Sequence, residues 1–360
     1  MTTLTPEAAA PSADPADPRR AASPRRRAGV VLLALGILVV LAWASLFVGS
    51  GDITAARTWE ILGAWIRGEL PAGDRDTAEL IILERRLPRT VLAVLVGAAL
   101  GLSGTLMQAL TRNPLADPGL LGVNAGAYTA VVIGSATMGI TVGTGHVWLA
   151  LGGALVTAVV VYGVGTSGRL GGSPAKLVLT GVAVGAVLSG LSFAITLAMP
   201  EVFDKVRFWS AGSLQGRTFD EITAVLPFLA AGTALALLLP PALNALALGD
   251  DAAVALGSRP ALTRILGLAA ITLLCGAATA AAGPLSFIGL IVPHALRMIL
   301  GPDHRWLVPM SLLAAPILML AADELARLVV AAELPTGVVT AFLGAPVLIA
   351  LTRRKGVREL

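Results

Sequence analysis

The sequence predicts an all-α polytopic membrane protein of about ten transmembrane helices, and three observations carry that prediction. Of 360 residues, 56% are apolar and only 13% charged, with a mean hydropathy of +0.83, whereas an ordinary soluble domain is about 25% charged. Charge-free windows recur along the chain at about the 20-residue length that crosses a bilayer. They lack the two-residue alternation of barrel strands, and lipid leaves a bare backbone no other partner than its own helix. A water-soluble enzyme is excluded on composition.

The elements follow in order. Residues 1–27 are rich in Pro, Ala and Arg with almost no large apolar side chain, which predicts a disordered basic cytoplasmic arm. The window 28–51 is a first span, and its length and lack of a small-residue cleavage site mark a retained anchor instead of a signal peptide. Thr54–Glu69 sets Trp59, Ile61, Leu62, Trp65 and Ile66 against Arg57, Glu60, Arg67 and Glu69, the pattern of a helix lying at the outer interface. The window 90–111 is the second span. The window 118–168 is too long for one crossing and divides around Gly139–His146 into the third and fourth. Windows 177–200 and 222–249 are the fifth and sixth; 265–296 holds a seventh and a shorter eighth, interrupted by Pro284 and Pro293; 306–322 and 334–352 complete ten. The membrane domain is therefore 28–352, with a tail at 353–360. Gly97 and Gly101, and Gly181 and Gly185, lie four apart within spans and let helix backbones approach closely.

An even number of spans puts both termini on one side. Under this threading that side holds 15 of the 26 Lys and Arg, in the arm, the tail and loops carrying Arg112, Arg169, Lys176, Arg259, Arg264 and Arg305. The opposite side holds ten, mostly in the 50–89 segment, which also carries seven acids, and acids count little in the positive-inside rule. Both termini are thus expected in the cytoplasm, with the chain in the plasma or inner membrane. The net charge of +4 reflects this topology, because the basic residues form no stripe of the kind that binds nucleic acid.

A catalytic reading finds little. Cys275 is the only cysteine, and His146, His294 and His304 are far apart with no HExxH, so no metal site and no catalytic residue is expected. None of the three lysines ends a GxxxxGK pattern; ATP-driven work would need a separate ATPase polypeptide. No cofactor is expected. Arg297, Asp323, Glu324 and Arg327 fall in or near spans, where charge is costly, and the plain reading is that Asp323 or Glu324 pairs with a neighbouring base or that all reach the interface by snorkelling. An ion-coupled secondary transporter of a bulky solute is the alternative function, and an intramembrane hydrolase a more remote one; the first needs a chain of buried acids, the second a nucleophile with a base.

Residues 86–127, RLPRTVLAVLVGAALGLSGTLMQALTRNPLADPGLLGVNAGA, strongly resemble the FecCD-type permease of ABC importers for iron-siderophores, haem and cobalamin. So do FWSAGSL at 208–214, LNALALGDDAAVALG at 243–257, GPLSFIGLIVPHALRMILGPDHRWLVP at 283–309 and ELPTGVVTAFLGAP at 333–346. The resemblance runs from about residue 30 to the C-terminus. It implies the type II importer permease fold, a second permease copy or a homologous permease, two ATP-binding subunits and an extracytoplasmic substrate-binding protein. It implies docking of that binding protein on Arg86, Arg89 and Arg327, and contact of the ATPase with a cytoplasmic loop at 243–260 through Leu248, Gly249, Ala253, Leu256 and Gly257. Physically that loop reads as a short helix between Gly249 and Gly257, stopped by Pro260, with Asp250 and Asp251 at its N-terminus. The resemblance also implies a gate helix at Trp209, Gly212 and Ser213, with the small residues packing across the dimer axis. Asn113 and Asp117, each before a proline, make RNPLADP a rigid corner. The implied cargo is a ferric siderophore, with haem or cobalamin as alternatives.

Overall fold

Proline and glycine punctuation divides the chain into fifteen α-helices in a computed structural model that describes residues 24–49, 53–70, 75–141, 143–167, 174–329 and 333–353. In order they are α1 Pro24–Phe47, α2 Ala55–Ile66, α3 Thr77–Leu80, α4 Leu87–Thr111, α5 Val123–Met138, α6 Thr144–Thr166, α7 Pro174–Ala198, α8 Pro200–Ser210, α9 Phe219–Leu238, α10 Pro240–Ala247, α11 Asp250–Ala255, α12 Pro260–Ala282, α13 Ile288–Leu300, α14 His304–Val329 and α15 Thr336–Arg353. No described residue is in a strand. Six of the starts carry proline in their first turn, where its missing N–H is no loss.

Among the described residues, seven helical stretches are long and apolar enough to cross a membrane: those of α1, α4 with its lead-in, α6, α7, α9, α12 and α14. The shorter α5, α13 and α15 bring the bundle to the ten expected. The break between α5 and α6 falls at Gly139, whose φ of +67° ends α5 in a left-handed cap. Residues 283–287 separate α12 from α13 at Pro284, whereas α13 continues through Pro293. With 13 residues, α13 is only about 20 Å long at 1.5 Å per residue. The irregular 283–287 segment precedes it, with Gly283 and Leu285 buried. Of the arm, residues 1–23 lie outside the described residues, as do 354–360 of the tail; Pro24–Arg27 form the first turn of α1 instead of continuing an irregular arm.

The core is α4 against α14, α12 and α13, where small residues let the backbones touch. A Cβ on Gly97 would stand 2.7 Å from the Pro316 Cα, one on Gly101 2.4 Å from the Ala315 Cβ, and one on Gly104 1.9 Å from the Gly289 carbonyl oxygen. The Gly97 and Gly101 pair allows the close approach that its spacing predicts, and the neighbour is α14. Gly181 is similarly pressed against Leu120, but Gly185 has only ordinary contact. Substituting Gly104→Ala is expected to lower the unfolding temperature of the solubilised protein, since overpacking against backbone costs about 1–3 kcal/mol. Gly190→Ala, with nothing within 4 Å, is the control, and equal transitions for the two variants would contradict the contact.

Two ends of the bundle are distinguishable. The Arg27 guanidinium lies 4.9 Å from the centre of the Trp306 ring, so α1 and α14 begin at the same, proximal, end. At the distal end, Arg327 of α14 donates to the Ser45 carbonyl of α1 at 2.9 Å. The amphipathic α2 caps this distal end: Thr54 accepts the first-turn N–H of Arg57, Ile61 and Leu62 are buried, and Trp59 is exposed beside Trp43 at 5.3 Å.

Candidate functional site

Three features carry chemistry: a basic cavity at the distal end, an uncharged groove along α5 and α7, and the proximal α10–α11 segment. The chain reaches the distal cavity through Ile81–Arg86, a π-helical turn whose wide hydrogen bond runs from the Leu87 N–H to the Ile82 carbonyl. It ends two residues before Pro88, which cannot donate.

All three arginines expected to dock a partner are buried and bonded within the chain. Arg89 donates to Asp323 through Nε at 3.0 Å and Nη2 at 3.0 Å, and to Glu333 through Nη1 at 2.6 Å. Arg327 pairs with the same Asp323 at 3.1 Å and donates to the Ser45 hydroxyl at 2.7 Å. The Thr336 hydroxyl donates to Asp323 at 2.8 Å, so this fully buried carboxylate joins α4, α14 and α15. Arg86 donates to the Leu46, Phe47 and Gly49 carbonyls at the end of α1, at 3.0, 3.2 and 3.3 Å. Pairing of Asp323 with neighbouring bases is as the sequence indicates. The burial of the docking set is not, because a sequence pattern does not show which internal acceptors a guanidinium meets.

These arginines line a distal cavity of about 580 Å³ together with Arg85, Lys205 and Arg217, against Glu333. Arg85 and Lys205 are exposed. Arg217 is buried, and burial lowers its pKa against the opposing charge of Glu221. The cavity floor includes Trp209 and Ser213 of the expected gate. Trp209 is buried, stacked on Tyr128 at 6.3 Å and edge-on to His146 at 5.5 Å, whereas its neighbour Phe208 is exposed.

Gly212 and Ser213 also close contacts within the chain. The Gly212 carbonyl accepts from the Gly337 N–H at 2.8 Å, and the Ser213 N–H donates to the Ala282 carbonyl at 2.8 Å. Gly212 has φ +74°, and a Cβ there would stand 2.5 Å from the Pro284 carbonyl oxygen. Gly283 has φ +79°, and a Cβ there would fall 1.9 Å from the Trp209 carbonyl oxygen. The loop after α8 is thereby fixed to the breaks before α13 and α15.

A second cavity, of about 550 Å³, lies along α5 and α7 and contains no charged side chain: Asn124, Tyr128, Ser189, Ser210 and Ser286 are its polar groups. It adjoins a third of about 430 Å³ that shares Tyr128 and Ser189. Asn124 is held by the Thr279 hydroxyl, which donates to Oδ1 at 2.8 Å. Sequence reasoning does not single out Asn124, Tyr128 or Ser189. The only trace is a set of polar residues inside two otherwise apolar spans.

At the proximal end the expected short helix between Gly249 and Gly257 is α11, and a separate α10 precedes it in the stretch read as the end of the sixth span. Pro240 and Pro241 end α9 and start α10, and Gly249, at φ +107°, turns the chain into α11. Leu248, Val254 and Leu256 stand 68%, 61% and 65% exposed, forming an apolar projection, and Gly257 turns at φ +78°. Ala253, of the same expected contact set, is fully buried within the chain. Asp250 and Asp251 lie in the first turn of α11 as expected, and Asp250 accepts from Arg112 at 2.8 Å and from Arg264 at 2.9 Å. RNPLADP forms the expected corner, with Leu115 N–H donating to Asn113 Oδ1 and Gly119 N–H to Asp117 Oδ1. Asp303, just before α14, is raised in pKa by burial, but hydrogen bonds from Asn244 and the Arg305 N–H with two arginine charges outweigh this and hold it low.

This arrangement of a basic distal cavity, an uncharged groove and a proximal apolar projection coincides with clear similarities to known proteins. The ferric enterobactin transport system permease protein FepD of Escherichia coli (strain K12) is 50% identical over 89% of this chain and 93% of its own length. The probable siderophore transport system permease protein YfiZ of Bacillus subtilis (strain 168) is 41% identical over 76% and 83%. A solved structure described as an inward-facing conformation of a putative metal-chelate type ABC transporter superposes with a TM-score of 0.75 at 26% identity, covering 92% of this chain and 99% of that one. The FecCD transport family model matches residues 37–354, and the chain belongs to that family.

Proposed function

We propose that this permease carries a ferric siderophore inward, paired with a second permease subunit, driven by two separate ATP-binding subunits and supplied by an extracytoplasmic binding protein. The observation that carries the cargo assignment is the 50% identity with a ferric enterobactin permease over nearly its whole length. In this reading the proximal end is cytoplasmic, both termini with it, and the exposed Leu248, Val254 and Leu256 seat in the ATPase. Nucleotide-driven closure moves that segment, and the paired subunits alternate between outer and inner openings without breaking any bond in the cargo. The uncharged wall with Asn124, Tyr128 and Ser189 suits a passage that does not hold a bulky chelate, leaving selectivity to the binding protein. Acidic side chains of that protein meet the positive distal mouth at exposed Arg85 and Lys205. The buried Arg86, Arg89 and Arg327 hold its shape, and such long-range attraction speeds encounter more than it tightens binding.

The buried acid offers little to a proton-coupled carrier, since Asp323 is already shared between two guanidiniums. The complex is expected to co-purify with a P-loop subunit and to take up radiolabelled ferric enterobactin into vesicles in an ATP-dependent, vanadate-sensitive manner. Uptake that persists without ATP and stops on adding an uncoupler overturns the reading.

A further inference from the structure

The α10–α11 segment is covalently joined only to α9 and α12, yet polar side chains tie it to two other helices. Asp250, opening α11, accepts from Arg112, the residue that closes α4, and from Arg264 in the first turns of α12. Arg112 also donates to the Leu246 carbonyl of α10 at 2.7 Å, and holds that position from a left-handed backbone at φ 51°. On the other side, Asn244 of α10 donates to Asp303 at 2.7 Å and accepts from the His304 N–H at 2.9 Å, where α14 begins. The helices reached by these ties, α4 and α14, are those joined backbone to backbone at Gly97 and Gly101 and joined again at the distal end through Arg89, Asp323 and Arg327.

From this we infer that Asp250 and Asn244 are positioning residues that transmit displacement of the α10–α11 segment to the α4–α14 pair, and so to the distal mouth. A single exposed ion pair contributes little to stability; here the geometry matters because one carboxylate fixes three chain segments. The α4–α14 pair is close-packed along its length, so a push at its proximal end moves it as a body instead of being absorbed locally. The inference rests on the reading of 243–260 as the ATPase contact.

The test uses the whole transporter, with its ATPase subunits and binding protein, reconstituted in vesicles. Uptake and ATP hydrolysis are measured for Asp250→Ala, Asp250→Glu, Arg264→Gln and Asn244→Ala. The expected result is that Asp250→Ala and Asn244→Ala keep the ATPase subunits bound while uptake per ATP falls about fivefold or more, the range of a site-to-site coupling. Asp250→Glu is expected to restore much of the ratio, and Arg264→Gln to lose less than Asp250→Ala because Arg112 remains. If Asp250→Ala fails to assemble, Arg264→Gln and Asn244→Ala carry the measurement. An unchanged ratio of uptake to hydrolysis, or loss of the ATPase subunits in step with loss of uptake, overturns the inference. Leu256→Arg is run alongside: if it too leaves ATPase attachment and uptake intact, the assignment of the contact segment is at fault and not the ties alone.

Discussion

Replacing Asp323 with alanine is expected to destabilise the protein by about 3–5 kcal/mol, the usual cost of removing one partner from a buried ion pair. The carboxylate is fully buried, and its loss strands Arg89 and Arg327 together, leaving Arg89 with Glu333 and Arg327 with uncharged acceptors, including the Ser45 carbonyl and hydroxyl and the backbone carbonyl of residue 323. Arg89→Ala should cost less, because Asp323 keeps Arg327 and the Thr336 hydroxyl. The measurement is thermal unfolding of the solubilised chain without its partners, which isolates the internal role from any docking role. If these arginines served only a binding protein, Asp323→Ala would leave the transition where it is, and that outcome would refute the internal assignment.

How much of this was legible beforehand depends on which contacts a residue makes. The helices follow from window length and the cost of bare backbone in lipid, and the break at Gly139 and the close approach at Gly97 and Gly101 follow from glycine placement, though not that α14 is the neighbour. The distal arginines show the limit: RLPR marks their position, but their acceptors are 234 and 244 residues away at Asp323 and Glu333, or are carbonyls at the end of α1. Gly212 shows another, since a small residue signals a close approach without naming the neighbour, which is Pro284 and Gly337 of the same chain. In the proximal segment, the start of α10 was written in Pro240 and Pro241, a first-turn signal that the apolar window running to 249 obscured. The burial of Ala253 beside exposed Val254 follows from helical periodicity, which a six-residue helix displays too briefly to read.

The exposure of Leu256 predicts the second large effect. It stands 65% exposed with Leu248 and Val254 on a segment too short to be stable for its own sake, so its apolar surface has no role within the chain. Leu256→Arg removes nothing from the core and should leave membrane insertion and unfolding temperature unchanged. In an apolar cleft of an ATPase subunit, however, the guanidinium would be desolvated without a partner. Loss of an apolar anchor of this kind costs about 2 kcal/mol or more, about thirtyfold in an association constant. Uptake is therefore expected to collapse while the ATPase subunits, no longer held to the permease, hydrolyse ATP at a rate indifferent to the loaded binding protein. Parallel measurement of uptake and of binding-protein-stimulated hydrolysis in vesicles reads both effects, and normal uptake by a well-expressed Leu256→Arg protein would remove α10–α11 from the drive mechanism.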